Sequence, residues 1–108
     1  GVVISQVVPY PYTQSLPITR EFHAAIAKGG DKVKANYSSL EGYLAAKVFS
    51  EGLKRTGRNP TREHLVAGLE SIQQADFGGF GVDFGARDHV ASSYVDLSML
   101  TGDGKVRR

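Results

Sequence analysis

Near the start of the chain stands one run of almost purely β-branched residues, Val2-Val3-Ile4-Ser5-Gln6-Val7-Val8, closed by Pro9. Branching at Cβ favours extended backbone, and proline has no amide to give a hydrogen-bond ladder, so the run predicts a strand over residues 2 to 8. Its apolar character does not alternate. That pattern predicts a strand covered on both faces, the situation of parallel sheets whose neighbours arrive through crossover helices. No comparable run occurs later in the chain, and one such strand cannot complete a sheet by itself.

The middle of the chain is mostly helical. Pro9-Tyr10-Pro11-Tyr12 predicts a stiff loop, because each proline fixes its own φ and biases its predecessor toward extended geometry. A first helix opens at Pro17, carries the stripe Ile18, Phe22, Ile26 with Ala25, and stops at Gly29-Gly30. Asp31 to Asn36 reads as polar linker. A second helix is predicted from Ser38, where Ser38-Ser39-Leu40-Glu41 has capping-box spacing; its stripe is Leu40, Leu44, Val48, Phe49 and Leu53, and Lys54 and Arg55 favour its end before Gly57. Asn59-Pro60 breaks the chain, and Thr61 starts a third helix with Leu65, Val66, Leu69 and Ile72 on one side. The second and third helices form a hairpin. Beyond Asp76 the period drops to two, with Phe80, Val82 and Phe84 and then the run from Tyr94 to Met99. Thr101-Gly102-Asp103-Gly104 predicts a turn, and Lys105-Val106 a returning strand. The order strand, three helices, strands gives an α/β chain whose two ends look severed, which is the expectation for a piece of something longer.

Composition removes several functions. The 108 residues include no cysteine, so disulfides, thiolate nucleophiles and cysteine-ligated metals are excluded. No apolar run approaches the roughly 20 residues of a membrane helix. Of the 13 Lys+Arg, Lys105, Arg107 and Arg108 lie at the end, so residues 1 to 104 hold 10 against 11 Asp+Glu. That near-neutral body lacks the basic face of a nucleic-acid binder. His23, His64 and His89 fall in three separate elements without metal-ligand spacing. The glycines around Gly78, Gly79, Gly81 and Gly85 miss the G-x-G-x-x-G pattern at Phe84, and they lead into strands, not into a helix N-terminus. Glu41 and Glu63 are read as serving helix starts, and no carboxylate dyad or G-x-S-x-G elbow is present. Asn36-Tyr37-Ser38 matches a glycosylation sequon but is discounted because Ser38 is read as the cap. The expectation is therefore no enzyme, no cofactor and no metal. Tyr10 and Tyr12 remain as candidates for ligand contact, on a rigid loop at the carboxyl end of a strand.

The segments Ser5-Gln6-Val7-Val8-Pro9, Ser39-Leu40-Glu41-Gly42-Tyr43-Leu44-Ala45-Ala46-Lys47, Gly78-Gly79-Phe80 and Tyr94-Val95-Asp96-Leu97, in that order, resemble the C-terminal part of the solute-binding proteins of branched-chain amino-acid type ABC transporters. These are type I periplasmic binding proteins, also called extracellular ligand-binding receptors. The resemblance covers nearly the whole chain. It implies two α/β lobes joined by hinge strands, closing on a solute such as an amino acid or similar small carboxylate and presenting it to a membrane permease in the periplasm. On that template residues 1–35 resemble second-lobe strand and helix, 38–75 a first-lobe helical hairpin, and 77–108 hinge-crossing strands. It further implies Gln6 as a hinge-side polar contact and Tyr10 as an edge aromatic in the ligand site, whose acidic member would lie upstream of Gly1. Helices shaped for an absent sheet would expose apolar stripes, so self-association of the isolated chain is expected. The alternatives are a stand-alone α+β dimerising interaction module and the ligand-sensing domain of a signalling receptor.

Overall fold

The computed structural model describes residues 1–107, apart from the side chain of Asp31. Arg108, the last residue of the expected hinge-crossing segment, lies outside them. Strand β1 (Val2–Gln6) is followed by α1 (Pro17–Lys28), a 3-10 turn over Gly30–Lys32, α2 (Tyr37–Thr56) and α3 (Arg62–Glu70), then β2 (Ala75–Asp76), β3 (Gly81–Val82), β4 (Asp96–Leu100) and β5 (Val106–Arg107).

The strands make two antiparallel sheets, β1-β4-β5 and β2-β3. This corrects the expectation for the first strand. β1 is an edge strand paired antiparallel to β4, with Val2 opposite Leu100 and Gln6 opposite Asp96. Val2 and Val3 are both 59% exposed. A uniformly apolar run reports that a strand can be covered, not that this chain supplies the cover. The turn at 101–104 returns the chain as foreseen: the Thr101 amide donates to the Lys105 carbonyl, and Val106 pairs with Leu100.

The helices start and stop where side chains satisfy their free ends. Pro17 occupies the first turn of α1, and the helix stops at Gly29. α3 begins with Thr61 accepting from the His64 amide at 3.1 Å. The start of α2 differs from expectation. Its N-cap is Asn36, whose side chain accepts from the Ser39 amide at 2.8 Å, while the Ser39 hydroxyl accepts from the Asn36 amide at 3.0 Å. Asparagine is at least as good a cap as serine, and the box simply closes two residues earlier. Ser38 and Glu41 are exposed and take no part in it.

One core joins the helices to the β2-β3 hairpin: Val8, Ile18, Phe22, Leu40, Leu44, Ile72, Phe80 and Val82. Phe80 and Val82 point inward while Gly81 and Asp83 face out, the alternation read from the sequence. α1 contributes Ile18 and Phe22 to the same core as Leu40 and Leu44 of α2. α2 and α3 approach closely enough that a Cβ on Gly68 would lie 2.6 Å from the Gly52 carbonyl oxygen.

Candidate functional site

Three features could bear on a ligand. The first is a tyrosine cluster where the loop after β1 meets the start of α2. Proline at both 9 and 11, each buried, holds the loop in place. Tyr10 and Tyr12 pack edge-on with ring centres 5.2 Å apart, and Tyr37 lies 6.4 Å and 6.0 Å from them. Such edge-to-face geometry is the favoured arrangement of aromatic quadrupoles. The Tyr10 hydroxyl donates to the Val106 carbonyl at 3.1 Å, tying the loop to β5. Tyr37 shares a side-chain hydrogen bond with the buried Ser98 of β4, yet burial prevails and holds its phenol above the ordinary range. The cluster therefore links the helical body to the β1-β4-β5 sheet.

Of the two residues assigned to a ligand site, Gln6 is half-buried at the end of β1, in register with Asp96. Tyr10 is half-buried beyond the bend at Val7 and Val8, and its hydroxyl is engaged by Val106, so what it can offer a solute is its ring. In the sequence Tyr37 figures only within the discounted Asn36-Tyr37-Ser38 sequon; it is the fold that makes it the first residue of α2, capped by Asn36.

The second feature is an open apolar groove of about 490 Å³ between the β1 end, α2 and the 80–92 segment. Val8, Leu44, Val48, Phe49, Leu69 and Phe84 are among its walls. Phe49 is 49% exposed there. The groove has almost no polar lining apart from Glu41 and Ser92 at its margin, so it suits a layer of side chains better than a charged solute.

The third is a polar clip between α1 and α2. Lys47 donates to Glu21 at 2.9 Å. That bond, with one from Tyr43, holds the Glu21 carboxyl below its ordinary value. Tyr43 is pushed up to about 12 by burial and by its bond to Glu21. The clip pairs its opposite charges across the two helices.

The histidines do not converge. His23 bonds the Pro11 carbonyl at 2.7 Å, His64 bonds the Asn59 carbonyl at 2.7 Å, and His89 lies 3.7 Å from Glu70. Among the described residues there is no group of three or more acidic or histidine side chains that could hold a metal ion, and no helix long and apolar enough to cross a membrane.

A family model described as Periplasmic binding protein matches residues 1–105. The chain belongs to the periplasmic binding protein family. This is a family of binding proteins, not of enzymes. Among solved structures it is similar to an extracellular ligand-binding receptor from Verminephrobacter eiseniae, at 34% identity and a TM-score of 0.86, over 100% of this chain and 31% of that one. It is also similar to a substrate-binding periplasmic protein from Ralstonia solanacearum, at 36% identity and a TM-score of 0.85, over 97% of this chain and 30% of that one. A possible leucine/isoleucine/valine-binding protein from Rhodopirellula baltica matches at 29% identity and a TM-score of 0.88, over 100% of this chain and 30% of that one. No curated protein matches. This periplasmic binding protein chain thus spans less than a third of its solved relatives, and its mixed helices and strands match a fragment of the type I fold.

Proposed function

We propose that this segment serves non-catalytic capture of a small solute by a two-lobe periplasmic protein, which presents the solute to an ABC permease. The family match over residues 1–105 is the observation that carries the reading. The antiparallel β1-β4 pair supports it, because two adjacent strands of opposite direction leaving one helical body are what a chain crossing between lobes requires. We place α1 with the α2-α3 hairpin in one lobe, since Ile18 and Phe22 share its core, and assign β1 and β4 to the crossing.

Capture then works by differential affinity. The closed arrangement of the lobes contacts the solute on both sides and the open one on a single side, so binding shifts the population toward closure. Gln6, at the end of a crossing strand, offers an amide hydrogen-bond donor and acceptor, and Tyr10 offers a ring face on the adjoining loop. The solute class is an amino acid or similar small carboxylate; the Rhodopirellula relative, described as a possible leucine/isoleucine/valine-binding protein, favours that class.

The test is to graft residues 1–105 over the matching segment of the Rhodopirellula protein and titrate with L-leucine, L-isoleucine and L-valine by calorimetry. The expected result is saturable binding in the graft, weakened about tenfold by Gln6→Ala or Tyr10→Ala, the loss of one hydrogen bond or ring contact. Unchanged affinity in both variants removes the two residues from the site. A folded graft that binds none of the three while the unaltered scaffold does overturns the solute class.

A further inference from the structure

The tyrosine cluster also constrains where the sheet can move against the helices. Both strands assigned to the crossing are anchored in the helical body just beyond their near ends. β1 ends at Gln6, and Val8, two residues on, is buried in the core. β4 begins at Asp96, and Tyr94, two residues before, packs on the core residue Phe80 with ring centres 5.8 Å apart. The loop between β1 and α1 is held as well: Pro9 and Pro11 are buried, and the His23 ring on α1 bonds the Pro11 carbonyl at 2.7 Å.

The tyrosines extend that hold across the sheet, in which β1 and β5 lie on opposite sides of β4. Tyr10, from the loop after β1, reaches the Val106 carbonyl of β5, and Tyr37, the first residue of α2, bonds the buried Ser98 of β4. The Ser98 hydroxyl in turn contacts the Ile4 carbonyl of β1 at 3.5 Å. The two tyrosine rings meet edge to face at 6.4 Å. Each strand is thus tied to the helical body, directly or through its neighbour. A hinge needs element ends that can absorb changes in φ and ψ. Residues 5–12 and 92–97 hold no glycine, and Pro9 and Pro11 fix φ within the first of these segments.

We propose that this tyrosine clamp makes the β1-β4-β5 sheet a rigid part of the α1-α3 lobe, so that opening and closing pivots at the ends of β1 and β4 away from the helices, not at residues 6–8 or 94–96. Tyr10 and Tyr37 are then positioning residues: their hydroxyls hold the sheet at a fixed angle to the helices. That the sheet lies between two lobes rests on the solute-capture reading; the rigid coupling of sheet to helices does not.

The chain has no cysteine of its own, so Ala24→Cys on the exposed side of α1 and Lys105→Cys in the exposed turn before β5 accept a pair of nitroxide labels. Double electron-electron resonance then reads the distance between helices and sheet. On the 108-residue chain without solute the expected distribution is single and narrow. Tyr10→Phe combined with Tyr37→Phe, which keeps both rings, should broaden it while far-ultraviolet circular dichroism stays unchanged, and Tyr37→Ala should abolish the single peak; if Tyr37→Ala fails to fold, the phenylalanine pair decides. A distribution broad from the start, or one that the phenylalanine pair leaves unaltered, overturns the proposal. The same labels are then placed in residues 1–107 grafted over the matching segment of the Rhodopirellula protein, any cysteines of that scaffold being replaced. Saturating L-leucine should leave the peak in place while small-angle scattering records closure as a smaller radius of gyration. A peak that shifts with closure puts the pivot at the near end and overturns the proposal. A graft that binds no leucine counts against the solute class alone, and the solute-free distances still decide the rigid coupling.

Discussion

At the scale of single residues, the molecule uses its tyrosines as fasteners. Tyr43 keeps its proton to about 12 because it is buried and bonded to Glu21. An unfolded tyrosine titrates near 10. Since the folded phenol holds its proton longer, its contribution to stability is complete below about pH 10 and is lost as pH rises through about 12. Denaturation followed from pH 8 to 12 should show this decline, and Tyr43→Phe should flatten it, with the remainder due to Tyr37, whose phenol is raised by burial as well. Glu21 acts in the opposite direction. Its lowered carboxyl contributes above the ordinary carboxylate value and loses that contribution as pH falls through its depressed one. Tyr10→Phe removes the bond to the Val106 carbonyl while keeping the ring. It should cost about 1 kcal/mol in chemical denaturation, with faster amide exchange confined to β5 and its turn. Little of this is legible in the sequence. Tyr10 and Tyr12 stand out because prolines flank them, but Tyr37 is distant in sequence, and only the folding of α2 against the loop brings the three rings together.

At the scale of elements, local chemistry places the helices well. Pro17, Gly29, Gly57 and Thr61 mark boundaries because proline, glycine and threonine each do something specific to a helix end. The α2 cap is misread from sequence since Asn36-x-x-Ser39 and Ser38-x-x-Glu41 overlap, and spacing alone does not say which closes. Asn36→Ala should therefore destabilise the chain by about 1 kcal/mol, while Glu41→Ala should leave thermal melting unchanged. The α2-α3 contact is legible only as a hairpin; the glycines that set its closeness, Gly52 and Gly68, carry no pattern. Gly68→Ala gains up to about 1 kcal/mol of helix propensity. It also drives a Cβ to 2.6 Å from the Gly52 carbonyl oxygen, where backbone must move. Overpacking of that kind costs about 1–3 kcal/mol, so the variant should melt at a lower temperature in spite of its better propensity. For β1 the error is of a different sort. Apolarity measures what a strand could bury, and the partner that would bury it is not among residues 1–107.

At the scale of the whole molecule, the chain is more extended than an ordinary globule. A chain of this length packed as an ordinary globule has a radius of gyration near about 13 Å, whereas this one reaches 15.9 Å and extends 52 × 33 × 20 Å. A helical body with its own small core carries an antiparallel sheet on one side and an uncovered apolar groove on another. The expectation of helices shaped for an absent layer agrees with that groove, and the family match gives it a context in a fold about three times longer. Titrating the isolated chain with the apolar dye 1-anilinonaphthalene-8-sulfonate, while recording tyrosine circular dichroism in the near ultraviolet, distinguishes a formed groove from loose packing. Saturable dye fluorescence with the tyrosine signal intact, and weakened by Phe49→Glu, is the outcome consistent with a folded body whose apolar face stands open; an intact tyrosine signal with no dye bound would contradict it.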